Sequence, residues 1–509
     1  MDLCRLRTFL GWCGATNPRK RSSKLGLGCL HCYFGLTGHR ECREQLIPSS
    51  ITMNFGHLYL LLFSTLCTLS PTAQGSYAPP LFTLDLSLPP SQRWKGAVAL
   101  ATHNRTWEES WHSIFDYHNQ TLFNRLTTDN WSSLGEAVAT HYPQQAQELT
   151  TIAHEFNLLF PQQLVTYNYL AGWVYYHELA HTELQGNNLE WRECTGVLAQ
   201  TTSTPSTQST STPSTQSTST PSTQSVFHVA NMDQSPTAVR NVTLHVQFIN
   251  GTDPNKNSVL FQGVDFYWFT TGLSRMVLKN HVSVQENWRT SLPPLASSTV
   301  LKDIRVGVVP QMFVFRRTME RIVSQRAEHL LQHPSATHSS AWAAPSFDDI
   351  VLEWSTVLLA APFYVVMGGV NAGEGAIIAR NQTGVAAPGG KVLRFQGNTA
   401  GSGSMEYLVQ TNYDHWVPDS VVDPRRTAAE DMLSAASRAS TATQSVVGMN
   451  IELFAVASTY PVHNPHTAYT ALMNAKEGTL LPYVRIAMCP LFAESTYPDE
   501  RYCKSKEVL

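Results

Sequence analysis

Cys194-Thr195-Gly196-Val197-Leu198-Ala199-Gln200 and Val226-Phe227-His228-Val229-Ala230 are the two stretches on which the fold turns. Both are short and largely apolar, as buried strands are. Between them, residues 201–225 contain only Ser, Thr, Pro and Gln, built on the eight-residue repeat STPSTQST. Such a segment has nothing to bury, so it is expected to be a flexible loop open to O-glycosylation. The pair therefore reads as one β-hairpin whose turn has grown by repeat expansion, since loop-closure entropy rises only logarithmically with length. A linker between domains is the alternative reading of the same composition.

Outward from this hairpin the chain changes character. Upstream, 134–159 and 163–184 have helical spacing, the second with Leu164, Tyr167, Leu170, Val174 and Tyr175 along one side. Downstream, Leu244, Val246 and Phe248 alternate with Thr243, His245 and Gln247, the pattern of a half-buried strand. Ser346-Phe347-Asp348-Asp349 resembles a capping box ahead of Ile350, Val351, Trp354, Val357 and Leu358 at helical spacing. Residues 363–367 and 376–379 flank the turn-rich GGVNAGEG and predict a second hairpin, and 407–411 reads as a further strand. Helices and runs of strands without regular alternation point to layered sheets.

Composition limits the function classes. The 509 residues allow up to three domains or one large body, with 42% hydrophobic, 10% aromatic and 14% charged residues. That excludes a chain disordered throughout. A formal charge of -3, from 35 Lys+Arg against 38 Asp+Glu, gives no electrostatic reason to bind nucleic acid. A lightly charged, aromatic chain suits apolar ligands.

Residues 58–69 form an apolar block followed by Ala73-Gln74-Gly75, which predicts a signal peptide over 53–75 beginning at Met53. Residues 1–52 then read as an upstream extension. The alternative is a type II anchor behind Arg19, Lys20 and Arg21, against which stands the shortness of the block. Beyond residue 75 the cysteines are Cys194, Cys489 and Cys503; the last two lie close in the chain and are expected to pair, leaving Cys194 as the odd thiol. Sequons at Asn104, Asn119, Asn130, Asn241, Asn250 and Asn381 fit a secretory route.

Three patterns compete for the chemistry. His177-Glu178-Leu179-Ala180-His181 matches HExxH, but Leu184 and Asn187 replace the extended motif's Gly and His, and no third ligand stands at usable spacing. It is read as chance, with a chelator-sensitive zinc peptidase as the rival. GGVNAGEG lacks the Lys-Ser/Thr of a phosphate loop and reads as a turn. Cys194 by itself reads as a buried core thiol.

The surrounding chain changes the weight on Cys194. Cys194-Thr195 opens a strand, Asn231-Met232-Asp233 closes the hairpin, and Thr411-Asn412-Tyr413-Asp414-His415-Trp416 and Asp423-Pro424-Arg425-Arg426-Thr427 follow. Together with Leu86-Ser87-Leu88-Pro89-Pro90-Ser91-Gln92-Arg93-Trp94 and 368–380, these resemble the acid ceramidase and N-acylethanolamine-hydrolysing acid amidase family across most of 80–490. The resemblance implies an α+β fold, a four-layer αββα sandwich of the N-terminal-nucleophile hydrolase type preceded by a helical small subunit. It implies self-cleavage between Glu193 and Cys194 into a small subunit, 76–193, and a large one, 194–509. Cys194 would be the nucleophile, Asp233 would hold its α-amine, Asn412 would supply an oxyanion donor and Arg425 would organise the site. No cofactor or metal is implied.

The implied substrate is a fatty-acyl amide, ceramide before N-acylethanolamine, met through transient contact with a membrane surface in a lysosomal or secreted setting. Tyr167, Tyr169, Trp173, Tyr175 and Tyr176 are expected either to line an acyl channel or to form ordinary helix core. One departure stands out. Ala230 occupies the position where the family's pattern has Arg, which implies a thiol short of a neighbouring guanidinium and slow acylation. A catalytically impaired lipid-binding relative, uncut at Cys194, is the alternative that this departure raises.

Overall fold

The computed structural model describes residues 76–185, 194–201, 225–252, 258–289, 294–333, 344–396, 405–419, 423–439 and 446–485. The chain divides into the units Met1–Thr68 and Leu69–Leu509, and the described residues all belong to the second. The expected signal peptide, 53–75, and Glu193, Cys489 and Cys503 lie outside them.

The strands are β1 (Ser76–Tyr77), β2 (Leu81–Asp85), β3 (Cys194–Thr201), β4 (Phe227–Asp233), β5 (Leu244–Ile249), β6 (Val259–Asp265) and β7 (Arg275–Leu278). There follow β8 (Val282–Trp288), β9 (Phe363–Gly368), β10 (Gly375–Arg380), β11 (Leu393–Arg394), β12 (Met405–Gln410), β13 (Thr467–Asn474) and β14 (Thr479–Arg485). Among the described residues they form a six-stranded sheet, β1-β14-β13-β4-β3-β12, and an eight-stranded sheet, β11-β10-β9-β8-β7-β6-β5-β2. The helices are α1 (Pro90–Arg93), α2 (Ala97–Thr102), α3 (Ser113–Thr121), α4 (Thr128–His141), α5 (Pro143–Leu159), α6 (Tyr167–Val174) and α7 (Tyr176–Ala180). After the hairpin come α8 (Ser297–Arg305), α9 (Gln311–Gln332), α10 (Phe347–Thr356), α11 (Arg425–Ala439) and α12 (Val446–Ala457).

The layering follows from which faces are apolar. On β3 and β4, Val197, Ala199, Phe227 and Val229 pack with Leu433 of α11 and Leu453 of α12. Leu198 of β3 points the other way and meets Val366 and Ile377 of the eight-stranded sheet. The far side of that sheet buries Met276, Val365 and Ile378 in one cluster with Phe315 and Trp354 of α9 and α10. Helix, sheet, sheet and helix are thus stacked in that order. Gly196 lets the sheets approach: a Cβ there would stand 2.7 Å from the Gln285 side chain.

The hairpin is present as read, β3 pairing antiparallel with β4 from Cys194 opposite Met232 to Ala199 opposite Phe227. Its insertion is two residues shorter than composition indicates. Thr201 is in β3 opposite Met405, and Ser225 is buried, its hydroxyl accepting from Asn474 Nδ2 at 3.4 Å. Deleting 202–224 and closing the hairpin with a short Gly-containing turn is expected to leave soluble yield and melting temperature nearly unchanged. A collapse in yield would show that the insertion is needed for folding.

β5 alternates as expected, and Ser346 caps α10 reciprocally with Asp349. Both upstream helical stretches divide. The first breaks at Tyr142, because Pro143 cannot continue a helix but suits the first position of the next. The second becomes α6 and α7, and Leu164 falls outside both, 83% exposed. β1 and β2 were not apparent in the sequence. They pair with β14 and β5, so the portion before Cys194 supplies an edge strand to each sheet.

Candidate functional site

Cys194 begins β3 and is only 3% exposed. Both of its backbone polar atoms are held by side chains from the far end of the chain. Its N–H donates to Asn412 Oδ1 at 2.7 Å, and its carbonyl accepts from Arg425 Nη1 at 3.2 Å. Arg425 opens α11, where Asp423 takes Nε and Nη2 at 2.7 and 2.9 Å, and Nη2 also donates to Asn412 Oδ1 at 3.0 Å. Asp233, at the end of β4, lies 3.5 Å from Arg425 Nη1 and accepts from Asn464 Nδ2 at 2.8 Å. Cys194, Asp233, Asn412 and Arg425 therefore meet at one point. Paired charges in a network of this kind are the tolerable way to bury ions.

Each motif has an anchoring half. Beside Asn412, Asp414 takes Arg289 in a bidentate pair at 2.8 and 3.0 Å and accepts from Tyr364 Oη at 2.7 Å, which fixes the loop after β12. Asn231, though flanked by site residues, points outward and ties β4 to the carbonyls of Ala457 and Val462. Arg240 holds the Pro465 and Thr467 carbonyls, Thr467 being the strand partner of Asp233, and is not among the groups that act on the thiol. Asn412 Nδ2, the group the resemblance would aim at an oxyanion, is donated here to the Trp288 carbonyl at 2.9 Å.

The thiol faces a cavity of about 40 Å³ lined by Trp173, Tyr176, Met232, Tyr267, Trp288 and Met312 among others. Trp173 and Tyr176 of the aromatic run thus border it, while Tyr175 is fully buried core. A cavity of this size holds a water and no acyl chain. Burial holds the Cys194 thiol above its ordinary value; the Arg275 guanidinium opposes that rise in part, while Glu286 and Asp233 add to it. The expectation that Ala230 leaves the thiol short of a guanidinium is therefore corrected: one arrives from β7 of the facing sheet. Sequence reasoning missed Arg275 and Asn464, neither of which lies in a quoted motif.

His177 and His181 lie side by side, their rings 4.8 Å apart, but Glu178 turns away and accepts from Gln311 N–H at 2.6 Å. His181 stacks flat on Trp288 at 3.7 Å, and His177 Nε2 is 3.5 Å from Glu286. Among the described residues no group of three or more His, Cys, Asp or Glu gathers as a metal site. No helix among them is long and apolar enough to cross a membrane. Of the sequons, Asn104 and Asn381 are exposed, whereas Asn119, Asn130, Asn241 and Asn250 are half-buried. Asn119 Oδ1 accepts from Tyr169 Oη, Asn130 completes the capping box of α4 by accepting from the Thr127 N–H, and Asn241 Nδ2 donates to the Glu109 carbonyl.

No family model matches the chain. Individual proteins do. N-acylethanolamine-hydrolyzing acid amidase of Oryctolagus cuniculus is 36% identical over 132 residues, 26% of this chain and 33% of that protein. The Rattus norvegicus protein of that name is 23% identical over 430 residues, 83% of this chain and 93% of its own. Acid ceramidase of Homo sapiens is 33% identical over 125 residues, 25% of this chain and 28% of that one. The chain thus spans a third of the rabbit relative, and 58% of the Mus musculus amidase. A solved Caenorhabditis elegans N-acylethanolamine-hydrolyzing acid amidase ortholog is 21% identical with a TM-score of 0.38, covering 56% of this chain and 93% of that one.

Proposed function

The chain belongs to the family of acid ceramidase and N-acylethanolamine-hydrolysing acid amidase, and from that premise we propose that it hydrolyses fatty-acyl amides with Cys194 as nucleophile after cutting itself before that residue. The observation that carries this reading is the grip of Asn412 and Arg425 on the two backbone polar atoms of Cys194. A core thiol needs no such arrangement.

Maturation would begin when Cys194 Sγ attacks the Glu193 carbonyl carbon. The C–S bond forms, the Glu193–Cys194 C–N bond breaks, the nitrogen leaves with a proton as an amine, and water then hydrolyses the thioester. The freed α-amino group has a reference pKa near 8 and can take the thiol's proton. Asn412 Oδ1, already on that nitrogen, and Asp233 would hold it. In turnover the thiolate attacks the substrate carbonyl, the tetrahedral oxyanion collapses, and the C–N bond breaks as the α-ammonium protonates the departing amine. Water adds to the thioester, the C–S bond breaks, and the fatty acid leaves.

The aromatic and Met lining favours an acyl chain over a peptide, although so small a cavity requires lining side chains to move first. Ceramide is the proposed substrate, N-acylethanolamine the second, in a lysosome or outside the cell. The test is release of fatty acid from ceramide, N-acylethanolamine and a fluorogenic fatty-acyl amide, followed by mass spectrometry. Asn412→Ala is expected to slow release about a hundredfold or more, as loss of a preorganised polar group at a reacting centre does. No release from any of the three by fully cut protein would overturn the reading.

A further inference from the structure

A thiol nucleophile must ionise, and the surroundings of Cys194 resist it. Burial raises the thiol, Glu286 and Asp233 add negative charge, and Arg275 is the cation that opposes them. Arg425, the other arginine in reach, is spent on Asp423, Asn412 and the Cys194 carbonyl.

The register shows how Arg275 gets there. Cys194, Met232 and Tyr469 stand in one row across β3, β4 and β13, and Gly196, Ala230 and Ala471 in the next. The second row has almost no side-chain bulk. Opposite it, Arg275 opens β7 in register with Gln285 and is wholly buried. Its Nη2 lies 3.5 Å from the Asn231 carbonyl, on the stretch of β4 between Ala230 and Met232. Nη1 donates to Ser274 Oγ at 2.7 Å, and the guanidinium carbon stands 5.8 Å from the Tyr469 ring centre. Nε has no hydrogen-bond partner among the described residues. A buried cation held so loosely by neutral groups is costly unless anionic groups face it. The acidic groups that face it are Tyr469, Cys194, Glu286 and Asp265.

We propose that Arg275, reaching across from the facing sheet into the space that Ala230 leaves open, is the positioning residue that favours ionisation of the Cys194 thiol. The proposal rests on the reading of Cys194 as nucleophile. It makes Ala230 and Arg275 a pair, one vacating the place from which a cation serves the thiol and the other serving it from a different strand.

The test follows alkylation of Cys194 by iodoacetamide against pH in the full chain, read by mass spectrometry of the peptide that carries it, alongside amide hydrolysis. In Arg275→Met and in Arg275→Gln, which keeps a polar group beside Ser274, the midpoint is expected to rise by about one unit or more, the usual effect of losing an adjacent opposite charge. Arg275→Lys should stay near wild type. Adding Ala230→Arg to Arg275→Met should bring the midpoint back down. A folded Arg275→Gln with the wild-type midpoint overturns the proposal, as does a folded double variant that recovers nothing. If wild type hydrolyses no amide but the midpoints shift as stated, the role of Arg275 stands and the amidase reading falls.

Discussion

Wild-type protein from a secretory host is expected to separate under denaturing conditions into two chains, the larger beginning at Cys194, while Cys194→Ala runs as one. The expected change is from largely cut to uncut, because the variant has no nucleophile for the bond before residue 194. The structure adds a reason beyond the thiol. With N–H on Asn412 and the carbonyl under Arg425, residue 194 cannot swing about its backbone, and holding reacting groups in place lowers a barrier by several kcal/mol. Cys194→Ser should cut slowly, since a hydroxyl is a weaker nucleophile in the same place. N-terminal sequencing of the fragments is the measurement. Wild type that stays whole and yet turns over amide would sink the mechanism, since the α-amino base exists only after the cut.

What could be read from the chain, and what could not, separates by range of interaction. The β3–β4 hairpin was legible because its two strands are apolar and their junction has no apolar residue at all. Asn412 and Arg425 came from motifs whose neighbours, Asp414 and Asp423, turn out to hold the loop and the guanidinium in place. Arg275 was invisible. A charged residue at the start of a four-residue strand looks like a solvated strand end, and only the packing of one sheet on the other reveals it as core. β1 and β2 were hidden for a related reason. They are short, set around Pro79 and Pro80, and their partners lie far along the chain in β14 and β5. HExxH failed in the opposite direction: the spacing was right, but α7 ends before His181 and Glu178 faces Gln311.

The second large effect concerns what joins the two chains once they are cut. Glu148 of α5 has no solvent exposure, yet it is a carboxylate. Arg316 of α9 grips it through Nη1 and Nη2 at 2.6 and 2.7 Å, Arg93 adds a contact at 3.1 Å, and Trp94 Nε1 donates at 2.8 Å. Arg316 is further held by the Thr271 carbonyl at 2.7 Å and Glu320 at 2.8 Å. Glu148, Arg93 and Trp94 precede the proposed cut and the others follow it, so the cluster fastens one chain to the other. Glu148→Ala leaves Arg316 buried with Glu320 as its one remaining carboxylate partner among the described residues, and removing one member of a buried pair typically costs about 3–5 kcal/mol. In a protein already cut, that loss is expected as separation of the 76–193 chain, a fall in association of about two to three and a half orders of magnitude. β1 and β2 still supply edge strands, so separation should appear first at low protein concentration, as a second peak in size-exclusion chromatography. The double variant Glu148→Leu with Arg316→Met removes both charges and should lose much less, because an apolar pair of similar volume often matches a buried ion pair. If Glu148→Ala holds together at every concentration at which wild type does, the cluster is not what fastens the two chains, and the paired strands at the sheet edges must carry that task alone.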